Sequence, residues 1–366
     1  MTAEHPLLRA INLQYDADAP ARIAHYQPTA KAIPFLKGVG GLTEHRAFFV
    51  IAPYGSGKSL GATYLLHLLE NRPSSAAVLG TIRKRLENIS PELAKFAEER
   101  ASLTSGHGVV VALEGALQDI GEAVMRASAA SLRRLGLTSR AQAVESLNAT
   151  GIKGAVEVLD HLVDHARKSK ANTKVDRIAI VWDEFGRHVE QLVRTGRPDR
   201  LAEIQTLAEY AARSQELAVT FGPIMHQGLL QYASGLSQSA LAEWRKIEGR
   251  FEPVQYVDDS QELYWLIGKV VADNRPSTDL FGSDHRAAQG VREVGLFEDF
   301  GTDLQELLRL AYPLEPAALY VLPQLAARVA QHERTLFGFL LSADLSSPVT
   351  TAHIYDYFAG AMQTDT

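Results

Sequence analysis

The residues with the clearest chemical potential lie in one run: Ala52-Pro53-Tyr54-Gly55-Ser56-Gly57-Lys58-Ser59. Apart from the alanine at its first position, this run has the glycine, lysine and hydroxyl spacing of a phosphate-binding loop. Glycines let successive backbone N–H groups turn toward phosphate oxygens, and a helix that begins at the loop's end directs its positive dipole there. Lys58 is suited to the β and γ phosphates, and Ser59 to Mg²⁺. The predicted ligand-binding residues here are Pro53, Tyr54, Gly55, Ser56, Gly57, Lys58, Ser59 and Leu60.

Two adjacent acids, Asp183 and Glu184, follow the short apolar run 178–182. Acids are also common where a helix begins after a strand, because the helix dipole favours them there. Downstream of a phosphate-binding loop, two adjacent acids predict more specific roles. Asp183 would hold a water of the Mg²⁺ coordination shell, and Glu184 would activate the attacking water as general base. The second acid therefore predicts hydrolysis rather than binding alone.

His226 and Gln227 follow another apolar run, 217–225. A polar side chain at that position can contact the γ-phosphate or position the attacking water. Thr220, inside the run, is the second choice for this sensing role, and an ordinary loop role for the histidine stays open.

Arg245 and Arg250 come just before a further apolar run near 251–257. An arginine there can reach the phosphates of a neighbouring subunit and stabilise the charge of the transition state, as arginine fingers do. The alternative is an ordinary surface or ion-paired arginine. We therefore expect a homo-oligomer in which one subunit completes the site of the next.

These residues depend on strands and helices that place them. The apolar runs 47–52, 178–182 and 217–225, with weaker ones at 108–113 and 251–257, favour strands buried on both faces. Helical patterns of roughly 10 to 20 residues separate them. The alternation predicts an α/β fold with a parallel sheet flanked by helices.

Two domains are expected. Residues 1–257 form the core, with an N-terminal lead-in and a helical insertion at about 82–172. From 258 to 366 helical patterns dominate, which predicts an all-helical domain followed by the start of another element, for which a winged helix is the candidate. We expect the chain to be the N-terminal part of a longer protein or to work with a separate effector.

Composition limits the classes of function. The chain has 366 residues and no cysteine, which excludes disulfides, thiolate nucleophiles and cysteine-ligated zinc. It has no run of about 18 apolar residues, so we expect no membrane span and a cytoplasmic location. The net charge of −6 does not predict nucleic-acid binding, although basic clusters such as IRKRLEN leave it open. His161 and His165 flank Asp164 on one helix, where a solvated face is favoured over a metal site.

The ordered motifs APYGSGKS, IAIVWDEFGRHVE, FGPIMHQGLLQYA and EWRKIEGRFE resemble the P-loop ATPases of the AAA+ and STAND-related superfamily. The sequence is most similar to AAA-like modules at the front of large bacterial proteins, many of them associated with antiphage defence. It departs from the pattern at Ala52, where the first loop glycine is expected, and in the interval of about 125 residues between Lys58 and Asp183.

The resemblance implies a P-loop fold with a C-terminal helical lid, ATP and Mg²⁺ as cofactors, and Asp183 with Glu184 as the Walker B pair. His226 and Gln227 would then be the first sensor region, and Arg250 the finger acting in trans. Within the lid, Pro313 would contact the base and Arg334 the phosphates.

The function predicted first is that of an ATP-hydrolysing switch or motor, which couples nucleotide state to a protein effector or to nucleic acid. ATP is favoured over GTP because the sequence lacks an Asn-Lys-x-Asp motif. A small-molecule or nucleoside kinase is the alternative enzyme. A scaffold that binds nucleotide without hydrolysing it is the third possibility.

Overall fold

A computed structural model describes residues 11–52, 56–103, 106–168, 175–215, 217–233, 236–256, 260–276, 291, 296–297, 300, 303–329 and 333–362. The chain divides into two compact units. The larger, called the core unit, comprises Ile11–Pro53 and Lys58–Tyr256. The smaller, called the C-terminal unit, contains the helices that follow residue 256.

The core unit is built on a five-stranded parallel sheet. The strands are β1 (Phe48–Ile51), β2 (His107–Glu114), β3 (Val175–Asp183), β4 (Ala218–Met225) and β5 (Glu252–Gln255), in the spatial order β2-β3-β4-β1-β5. The predicted α/β fold with a parallel sheet is confirmed. Strands β1 to β4 are largely buried, whereas β5, at the edge of the sheet, is mostly exposed and is not buried on both faces as expected.

Helices cover both faces of this sheet. The helices of the core unit are α1 (Ile33–Val39), α2 (Lys58–Glu70), α3 (Ala76–Leu86), α4 (Pro91–Ser102), α5 (Ile120–Arg134), α6 (Thr138–Glu145), α7 (Gly151–Lys168), α8 (Phe185–Arg194), α9 (Ala202–Ala212) and α10 (Gln238–Glu248). Alternate strand residues point to opposite faces. Val110 and Val181 therefore pack with α1 to α4, while Val111 and Ile180 pack with α5 to α10.

The division of the helices follows from the order of the strands. The connection from β1 to β2 crosses the sheet in one direction, and the connections from β2 through β3 to β4 return in the other. Because crossovers between parallel strands are right-handed, the two directions place their helices on opposite faces. The direction therefore reverses at the neighbouring strands β1 and β4.

The interval 82–172, expected to be a helical insertion, also contributes a strand to the sheet. β2 lies inside it, paired along its whole length with β3. The strand forms there because 109–113 is a continuous apolar segment, buried on both faces. β2 is also an edge strand. The N-terminal lead-in reaches it at Gln14, whose side chain donates a hydrogen bond to the Ala112 carbonyl at 2.9 Å.

The described part of the C-terminal unit is helical. Its helices are α11 (Ser260–Asn274), α12 (Leu304–Ala311), α13 (Pro316–Val329), α14 (Glu333–Ser342) and α15 (Thr351–Met362). They share an apolar core of their own, which includes Ile267, Leu319 and Phe358. Its roles as a lid and as the start of a winged-helix element stay predictions. Among the helices of the described ranges, none combines the length and apolarity needed to cross a bilayer.

Gly222 in β4 lies directly against α1 and allows that helix to pack closely on the sheet. A Cβ atom added at Gly222 would lie 2.6 Å from Cγ2 of the buried Val39. We expect Gly222→Ala to lower the free energy of unfolding by about 1–3 kcal/mol, since overpacking displaces the helix. Urea denaturation followed by circular dichroism measures this.

The matched control is Gly80→Ala in α3, where an added Cβ meets no atom within 4 Å. That change is expected to raise stability by about 0.5–1 kcal/mol, because alanine favours the helix. Equal stabilisation by both substitutions would contradict the close packing of α1 on β4.

Candidate functional site

The candidate site lies at the carboxyl edge of the sheet. In open α/β sheets, ligands bind outside the carboxyl ends of the strands at the point where the connection direction reverses. That point lies between β1 and β4, whose last residues Ile51 and Met225 are register partners. The hydrogen bond from Ala52 N to Met225 O, 2.9 Å, extends the pairing one residue further. The run that starts at Ala52 and the pair His226-Gln227 thus leave the sheet side by side.

The helix after β1 begins at Lys58. Gly57, the preceding residue, has φ +79°, a left-handed conformation that glycine adopts without strain. Ser56 and Lys58 are 5% and 8% exposed, which is unusual for a lysine. Ser59 is half-buried, and its carbonyl accepts a hydrogen bond from Thr63 Oγ1 at 2.9 Å. The strand, glycine turn and helix therefore occur in the predicted order.

Four other positions of this run are predicted to contact nucleotide. Leu60 is half-buried and packs into the apolar layer formed with α1 to α4. Pro53, Tyr54 and Gly55 lie outside the described residues. Their predicted contacts with nucleotide stay predictions.

The acid pair stands at the carboxyl end of β3. Asp183 is the last strand residue and is 3% exposed, and its Oδ1 accepts a hydrogen bond from Glu184 N at 2.8 Å. Glu184 has φ +52°, a left-handed conformation that is uncommon outside glycine, and it immediately precedes α8. Its Oε2 lies 2.8 Å from Nη1 of Arg187. Strained backbone of this kind clusters at functional sites, which fits a turn that aims the Glu184 side chain.

A third carboxylate, Glu114, stands beside this pair and was not predicted. It ends β2 as the register partner of Asp183, and its Oε1 accepts a hydrogen bond from Asn12 Nδ2 at 2.5 Å. Burial raises the pKa of Glu114 to about 7, with Asp183 and Glu184 adding to the effect. The sequence does contain one signal for Glu114: it is a carboxyl that ends an apolar run, as Asp183 is.

His226 is held close to the phosphate-binding run. Its Nδ1 lies 3.0 Å from the hydroxyl of Tyr232. Burial lowers the pKa of His226, the Lys58 ammonium lowers it further, and the Glu190 carboxylate opposes both. The structure therefore brings His226 within electrostatic reach of Lys58. Gln227 is half-buried next to it.

Some predicted residues lie elsewhere in the core unit. Arg250 precedes β5 and so stands at the amino edge of the parallel sheet, with Nη2 3.7 Å from Oε1 of Glu209. Its predicted role as a finger acting in trans stays a prediction. Thr220 lies in the middle of β4, where its hydroxyl donates to the Val39 carbonyl at 2.7 Å, and so is not at the carboxyl edge.

The two lid residues belong to the C-terminal unit. Pro313 is buried in the turn between α12 and α13, where its carbonyl accepts a hydrogen bond from Val349 N at 2.8 Å. Arg334 lies in the first turn of α14, and its side chain is outside the described residues. Their predicted contacts with base and phosphates stay predictions.

The donor set suits a cation that is shared with phosphate. Over the ranges that the structure describes, no group of three or more His, Asp or Glu side chains could hold a metal ion on its own, and this includes His161 and His165 with Asp164. Mg²⁺ commonly takes only one or two protein oxygens and completes its octahedron with phosphates and water. The Ser59 hydroxyl and the Asp183 carboxylate fit that mode.

No protein-family model matches the sequence, and no curated protein matches it either. The core unit is an α/β domain with a parallel sheet, whose carboxyl edge carries a buried lysine, adjacent acids and a histidine.

The raised pKa of Glu114 makes the stability of the folded protein depend on pH. The folded protein holds a proton on Glu114 up to about pH 7, whereas the unfolded chain loses it near pH 4.5, so stability falls as pH rises through this window. Glu114→Gln removes that dependence and keeps an acceptor for Asn12. We expect the variant to gain about 1 kcal/mol over wild type between pH 5 and pH 8, after allowance for solvent screening.

Urea denaturation at both pH values, with EDTA present, measures the difference. Glu157→Gln, on the exposed side of α7, controls for the loss of one carboxylate. A stability difference between wild type and Glu114→Gln that is the same at pH 5 and pH 8 would contradict the assignment.

Proposed function

We propose that the core unit binds ATP with Mg²⁺ at the carboxyl edge of its sheet and hydrolyses it. The observation that carries this proposal is the convergence of four features at one edge: the glycine turn before Lys58, the pair Asp183-Glu184, the side chain of His226, and the reversal point between β1 and β4. A buried lysine at the first turn of a helix is suited to a polyanion, because the helix dipole and the ammonium act together.

Each residue has one role in the proposed reaction. Lys58 and the backbone N–H groups of the loop hold the β and γ phosphates, and Ser59 with Asp183 holds Mg²⁺. Mg²⁺, when bound, would neutralise charge on the phosphates. Glu184 takes the proton of the attacking water, while His226, with Gln227 beside it, contacts the γ-phosphate. Transfer to water would release ADP and inorganic phosphate.

The position of Arg250 supports assembly of several copies. It stands at the amino edge of the sheet, whereas Lys58 and Glu184 stand at the carboxyl edge. A contact between unlike edges of two copies is heterologous, so the copies form a ring or a filament. In such an assembly Arg250 enters the neighbouring site and stabilises the charge of the transition state.

The purpose of hydrolysis is proposed from the sequence motifs. Their similarity to AAA-like modules supports a cytoplasmic switch or motor, in which the C-terminal unit acts as the lid. Its output would go to a protein effector or to nucleic acid, in a setting such as bacterial antiphage defence.

A second candidate is a scaffold that binds nucleotide without hydrolysing it. The ion pair between Glu184 and Arg187, 2.8 Å, favours it, because the arginine occupies a carboxylate oxygen that would otherwise be available to the attacking water. Hydrolysis requires this pair to open when nucleotide binds.

The first test compares two variants that separate binding from chemistry. Lys58→Ala is expected to lose ATP binding and phosphate release together. Glu184→Gln is expected to bind ATP as wild type does and to release phosphate at least about 100-fold more slowly, because only the general base is lost. Calorimetry measures binding, and a phosphate sensor measures turnover.

Glu157→Gln, in α7 and outside the proposed site, is the control and should match wild type in both measurements. A wild-type rate in Glu184→Gln would refute its role as base. ATP that raises the melting temperature without phosphate release in wild type would establish the scaffold instead.

The second test asks whether Arg250 acts in trans. Arg250→Ala is expected to lower turnover about 1,000-fold, since arginine fingers contribute that much. Mixing it with Glu184→Gln should restore roughly a quarter of the wild-type rate by random pairing of copies, because an intact site then meets an intact arginine.

Arg213→Ala is the matched control, since Arg213 also contacts Glu209, with Nη2 3.5 Å from Oε2. It should keep the wild-type rate. If the mixture stays as inactive as its components, Arg250 has no role in trans.

A further inference from the structure

Tyr232 contacts the candidate sensor His226 and is itself almost fully buried. It belongs to the short helical turn Leu229–Ala233 and is 6% exposed. Its hydroxyl lies 3.0 Å from Nδ1 and 3.4 Å from Nε2 of His226, so it faces the edge of the imidazole that carries both nitrogens. The two rings are nearly perpendicular, at 84°. The hydroxyl therefore fixes the orientation of the imidazole.

The same hydroxyl lies directly on Gly186 of α8. A Cβ atom added at Gly186 would lie 2.1 Å from Oη and 2.7 Å from Cζ of Tyr232. Gly186 is helical and does not have a positive φ, so no backbone conformation requires glycine there. Glycine inside a helix costs about 1 kcal/mol relative to alanine. The space that it leaves for Tyr232 is what explains its presence.

The turn of α8 that carries Gly186 is firmly placed relative to Glu184. Phe185, between the two, is fully buried and packs edge-on against Trp182, with ring centroids 4.9 Å apart. The indole nitrogen of Trp182 donates a hydrogen bond to the Gly115 carbonyl at 2.9 Å. Close-packed side chains of this kind transmit displacements instead of absorbing them.

Glu190 lies one helical turn beyond Gly186 and so on the same side of α8. Burial lowers the pKa of His226, and the Glu190 carboxylate opposes this effect. The side of α8 that carries Gly186 thus contacts the Tyr232 hydroxyl and also carries a charge that acts on His226.

We propose that Tyr232 is a positioning residue, which orients the His226 imidazole relative to Glu184 and whose hydroxyl packs against Gly186. The inference rests on the proposed hydrolysis and adds a regulatory link to it. A change in the position of His226 on loss of the γ-phosphate reaches the turn after Glu184 through one hydroxyl. A residue that only filled space would need the Tyr232 ring but not its hydroxyl.

The kinetic test removes the hydroxyl and keeps the ring. Tyr232→Phe is expected to lower kcat about 5- to 10-fold, the effect of one hydrogen bond, with KM for ATP within about twofold of wild type. Gly186→Ala should give a similar loss, because the added methyl displaces the hydroxyl. Tyr210→Phe is the matched control, since its hydroxyl also donates to a side chain, Asp160 Oδ1 at 2.8 Å, and it should have no effect.

A double-mutant cycle separates positioning from packing. If Tyr232 acts through His226, then Tyr232→Phe added to His226→Ala causes no further loss of kcat. Losses that multiply, or a wild-type kcat in Tyr232→Phe, would overturn the inference. Circular dichroism and melting temperatures verify that the variants are folded.

Nitrogen NMR of the histidine side chains provides a readout that does not depend on hydrolysis. The His226 signals are assigned as those missing from His226→Ala. They should shift in Tyr232→Phe and in Gly186→Ala and stay unchanged in Tyr210→Phe. Unshifted signals overturn the inference even where ATP turnover is normal, whereas shifted signals without turnover support the contact and count against the proposed hydrolysis.

Discussion

The reversal of chain direction between β1 and β4 is the constraint on which the rest of the core unit depends. Because every crossover turns the same way, a change in direction sends the following helices to the other face of the sheet. The segments that leave β1 and β4 are then drawn apart, and a crevice opens at the carboxyl edge. The residues proposed to act on ATP come from segments that are far apart in sequence, and this reversal brings them together.

The charges at this edge are informative because several of them are removed from water. Lys58 and Asp183 are nearly buried, and Glu114 holds its proton to about pH 7 because of its burial, to which the charges of Asp183 and Glu184 add. In the proposed function, a metal-bound phosphate chain would bring a cation to the acids and an anion to the lysine.

Local patterns were sufficient for the strands and for residues defined by their place at a strand end. The run 178–182 is apolar throughout and the run 217–225 is so except for Thr220, so they predicted β3 and β4 and with them the positions of Asp183 and His226. Glu114 ends an apolar run too, but its significance depends on β2 pairing with β3, a long-range contact that no local pattern contains. The same reason hid the contact between Tyr232 and Gly186, because nothing in either segment specifies the other.

The lead-in beside β2 has a consequence for how the protein behaves at high concentration. An edge strand offers unpaired backbone groups to any other extended chain, and this is how sheet proteins come to aggregate. In this molecule the Gln14 side chain donates a hydrogen bond to the Ala112 carbonyl, and the Asn12 side chain donates one to the side chain of Glu114 at the end of the same strand. The Gln14 amide thus occupies a backbone acceptor at the carboxyl half of β2, and the Asn12 amide binds a side chain beside it, so this short segment shields part of the strand from such pairing as well as bordering the site.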